Sequence, residues 1–304
     1  MRPLLRALVV LLAVTVAGTA IPTPASPASD AASGAASGTS SGTLETQRLT
    51  APTAKETAVR RAGAARAVRE ARAAEVAQRR REQPLRSLTI ALDPGHQLGN
   101  HNYPRQIDAP VPAGGFTKPC NTTGTSTNGG VAEATVNFWL AKAVRKRLRS
   151  LGARVPTTRT VNSERRWGPC IDKRGEFGRR VGARLMVSLH ADGAPAPDRG
   201  FHVIAPTKRS PWTTDIADAS YRLATALRNG LTAAGVPRSN YIGGGSRLDV
   251  RSDLGTLNMS DVPVAMIEIG NMRNPGDVRL MTSARGRVRY ADAVVRGIRT
   301  FLKR

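Results

Sequence analysis

Four residues of this chain have the types and spacing needed for metal-assisted hydrolysis. His96 closes the run Asp93-Pro94-Gly95-His96, and His190 closes Val187-Ser188-Leu189-His190. Glu268 closes Met266-Ile267-Glu268, and Glu133 opens a helical pattern between the two histidines. The ends of strands are where open α/β sheets present reactive groups. Two imidazoles and a carboxylate form a common catalytic zinc set and leave a fourth position for water. A second carboxylate is then free to act as the base.

Each residue also has a plainer reading. A single histidine after a strand is often structural, but His96 and His190 repeat the arrangement in a chain with only four histidines. Pro94-Gly95 is expected to let the chain bend so that the His96 ring points out of the sheet. Glu133, in a first helical turn, is also favoured there by the helix dipole alone. Asn137 lies one turn on and shares its face, either as a hydrogen-bonding neighbour of a ligand or as a surface amide. Glu268 interrupts an apolar run, which is costly unless the carboxylate is paired or faces a cleft. An ion pair with one of the many arginines is the alternative. His101, in a loop, and His202, alternating with apolar neighbours, are expected to be non-ligands.

The elements that must position these groups follow from hydrophobic periodicity. Strands are expected over residues 88–92, 185–189, 201–204 and 264–269, with an edge strand at 154–159, where Pro156 is awkward in a sheet centre. Helices are expected over 131–151, 171–183, 220–234 and 290–302. Alternating strands and helices imply a single α/β domain with a mixed, largely parallel central sheet flanked by helices, phosphorylase/hydrolase-like in architecture. Residues 98–130, rich in Pro, Gly, Asn and Thr, read as a long loop, and such loops are usually functional or disordered.

The sequence ahead of residue 85 does not read as core. Residues 1–20 carry a basic start, an apolar run and small residues, as a secretory signal peptide does. Residues 21–84 form an Ala/Ser/Pro stalk expected to be disordered, then an Ala/Arg/Glu-rich helical linker over 55–82. The globular domain is expected over 85–304, with no second hydrophobic span, so no stable membrane span should remain once the signal is removed. Cys120 and Cys170 are the only cysteines, and an even pair in an exported chain suggests one disulfide.

The net charge is +24, which brings nucleic acid to mind. The basic residues are spread along the chain, aromatics make up 4%, and no nucleic-acid-binding motif is present, so no nucleic-acid partner is expected. An exported protein this basic fits anionic polymers of a cell envelope.

With these motifs in place, the chain resembles the zinc-dependent N-acetylmuramoyl-L-alanine amidases of the amidase-3 type. The resemblance runs over residues 88–302. It is carried by Leu92-Asp93-Pro94-Gly95-His96, Gly130-Val131-Ala132-Glu133 with Asn137, Val187-Ser188-Leu189-His190-Ala191-Asp192, and Val264 through Gly270 with Asn274. It implies Zn2+ held by His96, Glu133 and His190, with Glu268 as the catalytic carboxylate and Asn137 and Asn274 as neighbouring or substrate-side candidates. It also implies hydrolysis of the amide joining the lactyl group of N-acetylmuramic acid to L-alanine, in peptidoglycan or muropeptide, by a monomer in the secreted, periplasmic or cell-wall space. Gln97, where a glycine is common, and the long 98–130 loop depart from the pattern. A peptidase cutting within the stem peptide, an inactive wall-binding module and a nucleic-acid binder are the competing readings.

Overall fold

The computed structural model describes residues 52–243 and 248–304. The expected signal peptide and most of the expected stalk lie outside the described residues. The first element is the 29-residue helix α1 (Ala54–Glu82), built from Ala, Arg and Glu with no apolar stripe. Val59, Val68 and Val76 are at least half exposed along it, as a solvated helical linker requires. No helix among the described residues is long and apolar enough to cross a membrane.

The domain that follows begins with β1 (Ile90–Pro94), a short 3-10 helix (Leu98–Asn102), α2 (Pro104–Asp108), β2 (Pro110–Pro112), β3 (Thr117–Pro119) and α3 (Glu133–Ser150). It continues through α4 (Ile171–Gly175), α5 (Phe177–Arg180), β4 (Leu185–Asp192), β5 (His202–Pro206), α6 (Ala217–Ala233) and β6 (Leu248–Arg251). It ends with α7 (Gly255–Asn258), β7 (Val264–Asn271), α8 (Pro275–Thr282) and α9 (Ala284–Leu302).

Five strands form one sheet in the order β1-β4-β7-β5-β6. β1, β4 and β7 run parallel, β5 turns antiparallel to β7, and β6 runs parallel to β5. The sheet is therefore mixed and largely parallel, as the strand and helix alternation predicts. Side chains alternate across it. Leu185, Val187, Leu189 and Ala191 of β4 join Ala265, Ile267 and Ile269 of β7 in the larger core. Buried there too are Val136, Leu140, Val144 and Leu148 of α3, Leu223 and Leu227 of α6, and Val294 and Ile298 of α9. The opposite face holds a smaller cluster that includes Ala91, Met186, Ile204, Val264 and Met266 with Leu257 of α7.

Several expected elements change form. Residues 154–159 run beside β1 with parallel pairings only at Thr89–Arg154 and Leu92–Thr157. Pro156 can accept from Leu92 N but has no N–H to return, so a continuous ladder does not form. The helix expected over 171–183 divides into α4 and α5 at Glu176. Tyr221 of α6 is half exposed, because the buried stripe of that helix runs through Leu223, Ala224, Leu227 and Leu231.

The long 98–130 segment is ordered. Its β2–β3 hairpin is antiparallel, and Cys120 just after it is bonded to Cys170 at the start of α4. Ile171 N donates to Cys120 O and Asn121 Nδ2 to Pro169 O, so backbone and side-chain bonds reinforce the bridge.

Candidate metal centre and active site

His96 follows directly from β1, and the bend there is made by His96 itself. Its φ is 56°, in the left-handed region that is strained for a residue with a Cβ. The expected hinge, Gly95, serves another purpose: a Cβ at that position would run into the His190 ring. Two buried arginines hold the turn. Arg159 donates to Pro94 O at 3.0 Å and to Gly95 O at 3.1 Å. Arg174 donates to Pro94 O at 2.9 Å and to His96 O at 2.7 Å. Three successive carbonyls are thereby fixed.

Arg174 is in turn paired with Asp93, Nη1 to Oδ1 at 2.5 Å, with both side chains almost fully buried. Thr158 and Ser188 also donate to the Asp93 carboxylate. Burial alone would raise the Asp93 pKa, but the Arg174 charge and the two hydroxyl donors bring it below the ordinary aspartate value.

The His96 ring contacts Thr122 O through Nδ1 at 3.0 Å. A carbonyl only accepts, so Nδ1 carries a proton, and Nε2 lies 3.2 Å from Glu133 Oε2. Glu133 also meets His190 Nδ1 through Oε1 at 3.0 Å. Its carboxylate accepts from Thr125 N at 3.0 Å, Asn137 Nδ2 at 3.1 Å and Ala191 N at 3.2 Å. Burial would raise the pKa of Glu133, but the two histidines hold it well below the usual carboxylate range. His96 is displaced upward because the Glu133 charge and hydrogen bond outweigh its burial. Burial dominates at His190 and lowers it.

One ligand atom from each of His96, Glu133 and His190 can be chosen so that all three lie within 4.8 Å of one another. Two imidazoles and a carboxylate gathered so closely, with partners bonded behind His96 and Glu133, suit a borderline-soft divalent ion such as zinc. Gly124 allows the 122–125 segment to close over this group. Its φ is +76°, and a Cβ there would stand 2.6 Å from Glu133 Oε2.

Glu268 is the cross-strand neighbour of His190 in the β4–β7 pairing, so both side chains leave the same face of the sheet. Together with His96 and His190 it lines a cavity of about 240 Å3 whose other wall includes Lys118 and Pro119 of the hairpin. Glu268 Oε2 has no hydrogen-bond partner among the described residues. Burial, and then the negative charges of Glu133 and Asp192, push its pKa well above the ordinary value.

The remaining candidates separate. Asn137 reaches Glu133, whereas Asn274 caps α8, accepting from Gly276 N and Asp277 N and donating to Ala196 O. His101 contacts Leu98 O and Glu164 at the surface. His202 is buried beside Tyr241. Arg174 escapes sequence reasoning because, among so many arginines, nothing in its spacing marks it as one that goes inside.

Residues 90–300 match the family model described as Amidase_3, N-acetylmuramoyl-L-alanine amidase. The chain is 41% identical over 221 residues to the N-acetylmuramoyl-L-alanine amidase Rv3717 of Mycobacterium tuberculosis, covering 72% of this chain and 88% of that protein. The crystal structure of the N-acetylmuramyl-L-alanine amidase Ami1 from Mycobacterium smegmatis is similar at 38% identity and a TM-score of 0.66, over 72% of this chain and 98% of that one. Apo Ami1 from Mycobacterium abscessus, at 40% identity, gives the same TM-score over 72% of this chain and 100% of its own. With fold, site and relatives in agreement, the chain belongs to the Amidase_3 family of N-acetylmuramoyl-L-alanine amidases, which hydrolyse the amide between the lactyl group of N-acetylmuramic acid and L-alanine.

Proposed function

We propose that this amidase is an exported zinc enzyme in which His96, Glu133 and His190 hold the ion and Glu268 is the catalytic base. One observation carries the reading. Three ligand atoms lie within 4.8 Å of one another, and the two histidines among them line a cavity with Glu268, a carboxylate one strand away whose Oε2 has no partner among the described residues.

When bound, zinc supplies Lewis acidity, polarising the scissile carbonyl and making water more acidic. Glu268, its cross-strand position fixed against His190, takes the proton as water adds to the carbonyl carbon. As the C–N bond breaks, the same carboxyl returns that proton to the nitrogen of L-alanine, which leaves as the amine. The new lactyl carboxyl gives up its remaining proton to the amine or solvent and ends as a carboxylate. Asn137 and Thr125 N hold the Glu133 oxygens, and Thr122 O holds His96 in one tautomer, so neither ligand needs to reorient during turnover. The expected signal peptide puts this chemistry in the secreted or cell-wall space, with peptidoglycan or muropeptide as substrate.

The test uses metal-loaded protein, a defined muropeptide and mass analysis of the products. Release of the intact stem peptide, leaving a free lactyl carboxyl, supports the amidase reading, whereas cuts between peptide residues support the peptidase alternative. Glu268→Gln should bind zinc with unchanged affinity and lower kcat by about 10^3-fold. Wild-type turnover in that variant would remove Glu268 from its role.

A further inference from the structure

Three ionisable side chains form one row across the sheet. β4 pairs with β7 at His190–Glu268, and β5 pairs with β7 at His202–Glu268. Paired positions present their side chains on the same face, and on facing antiparallel positions the Cβ atoms are about 4.5–5.5 Å apart. One row below, Ser188, Met266 and Ile204 occupy the same three strands, and Met266 and Ile204 belong to the smaller apolar cluster. That places the His190–Glu268–His202 row on the catalytic face.

His202 is 2% exposed, and its Nδ1 has no hydrogen-bond partner among the described residues. Its neighbour in the row, Glu268, carries the same defect at Oε2. The two residues are register partners, each with a buried polar atom lacking a partner; such atoms are costly separately and complementary in kind, one side chain being a donor and the other an acceptor. Burial pushes the imidazole below its ordinary pKa, which leaves a neutral ring with one N–H to give.

The ring is also braced from behind. Tyr241 meets it edge-on, with centroids 6.1 Å apart, and Tyr241 Oη donates to Asp192 Oδ2 at 2.9 Å. Asp192 lies two residues beyond His190 on the same strand. These contacts run from the His190 strand through Asp192 and Tyr241 to His202, whose register partner is Glu268.

We propose that His202 is a positioning residue of the amidase reaction, its imidazole donating to the Glu268 carboxylate and orienting it within the row toward the His190 side of the cavity. This rests on the reading of Glu268 as the base. His202 touches neither the metal ligands nor the scissile bond, and acts only through Glu268.

The test compares His202→Leu, which removes the donor, with His202→Asn, whose amide nitrogen can stand near the Nδ1 position. Both are made in the full chain, with Tm measured on metal-free protein and kcat, KM and zinc affinity on loaded protein. His202→Leu is expected to lower kcat on the order of 10–100-fold. KM should stay within about twofold, zinc affinity should be unchanged, and the metal-free Tm should not rise, because the buried Glu268 carboxylate loses its donor. His202→Asn should recover most of kcat. Wild-type kcat in His202→Leu, or an equal loss in both variants with a lowered Tm, overturns the proposal. Glu268→Gln assayed alongside separates the two claims. Full activity there removes the base itself, while its loss beside an unimpaired His202→Leu removes only the role of His202.

Discussion

The two faces of the central sheet are built from the same strands and held by different forces. On one, Leu185, Val187, Leu189, Ala265 and Ile267 pack beneath α3, α6 and α9, and contact is dense and non-directional. On the other, the intervening residues Ser188, His190, Glu268 and His202 sit beside Asp93, Arg174 and Glu133. Order there depends on hydrogen bonds of defined geometry. Alternation along a strand is what makes this division possible, since neighbouring residues serve opposite faces. Chemistry and packing can therefore be altered one position apart.

The largest expected effect tests whether the polar face also carries stability. Asp93→Asn should destabilise the fold by about 4 kcal/mol, because it leaves the Arg174 charge buried without its partner. The Asp93 pKa is lower in the folded protein than its unfolded value of about 3.9. Its contribution is thus complete above about pH 4 and disappears as pH falls through the lower folded value. Urea midpoints measured from pH 6 to pH 3 should fall more steeply in the wild type than in Asp93→Asn.

The packed face should respond in the opposite sense. Ile267→Ala is expected to cost about 3.5 kcal/mol in urea unfolding while leaving kcat near wild type well below its Tm. A large loss of kcat at full folding would mean that the two faces are not separable.

The disulfide comes next. Replacing Cys120 and Cys170 by serine should cost about 3 kcal/mol, since the bridge closes a span of 50 residues. It should also lower zinc affinity, because the segment after Cys120 holds His96 and Glu133. The smallest effect is expected for Asn274→Ala, about 1 kcal/mol from a lost helix cap with kcat unchanged. A fall in kcat there, with stability intact, would return Asn274 to the substrate-side role that its motif suggests.

Much of this arrangement is legible in the sequence because it depends on local pattern. The apolar runs that end in His190 and Glu268 reveal both the strands and the site at their ends, and the four-residue repeat from Val136 to Leu148 reveals α3. Other parts depend on partners distant in the chain. β6 has only Leu-Asp-Val-Arg to announce it, and its pairing with β5 is set by the rest of the sheet. The stretch after His96 looks like structureless loop because its order comes from the disulfide and short turns. His202 reads as an ordinary strand histidine until the β5–β7 register sets it opposite Glu268.

The segment 122–125 carries one further consequence. Thr122 O orients His96 and Thr125 N anchors Glu133, so two of the three candidate ligands lean on a strap that begins two residues after Cys120. Cross-link and ion are then thermodynamically linked. Whatever the bridge adds to the affinity for the ion, the bound ion adds in equal measure to the resistance of the bridge to reduction. The enzyme would accordingly mature along either of two routes, oxidation first or metal first, and reach the same end state by both.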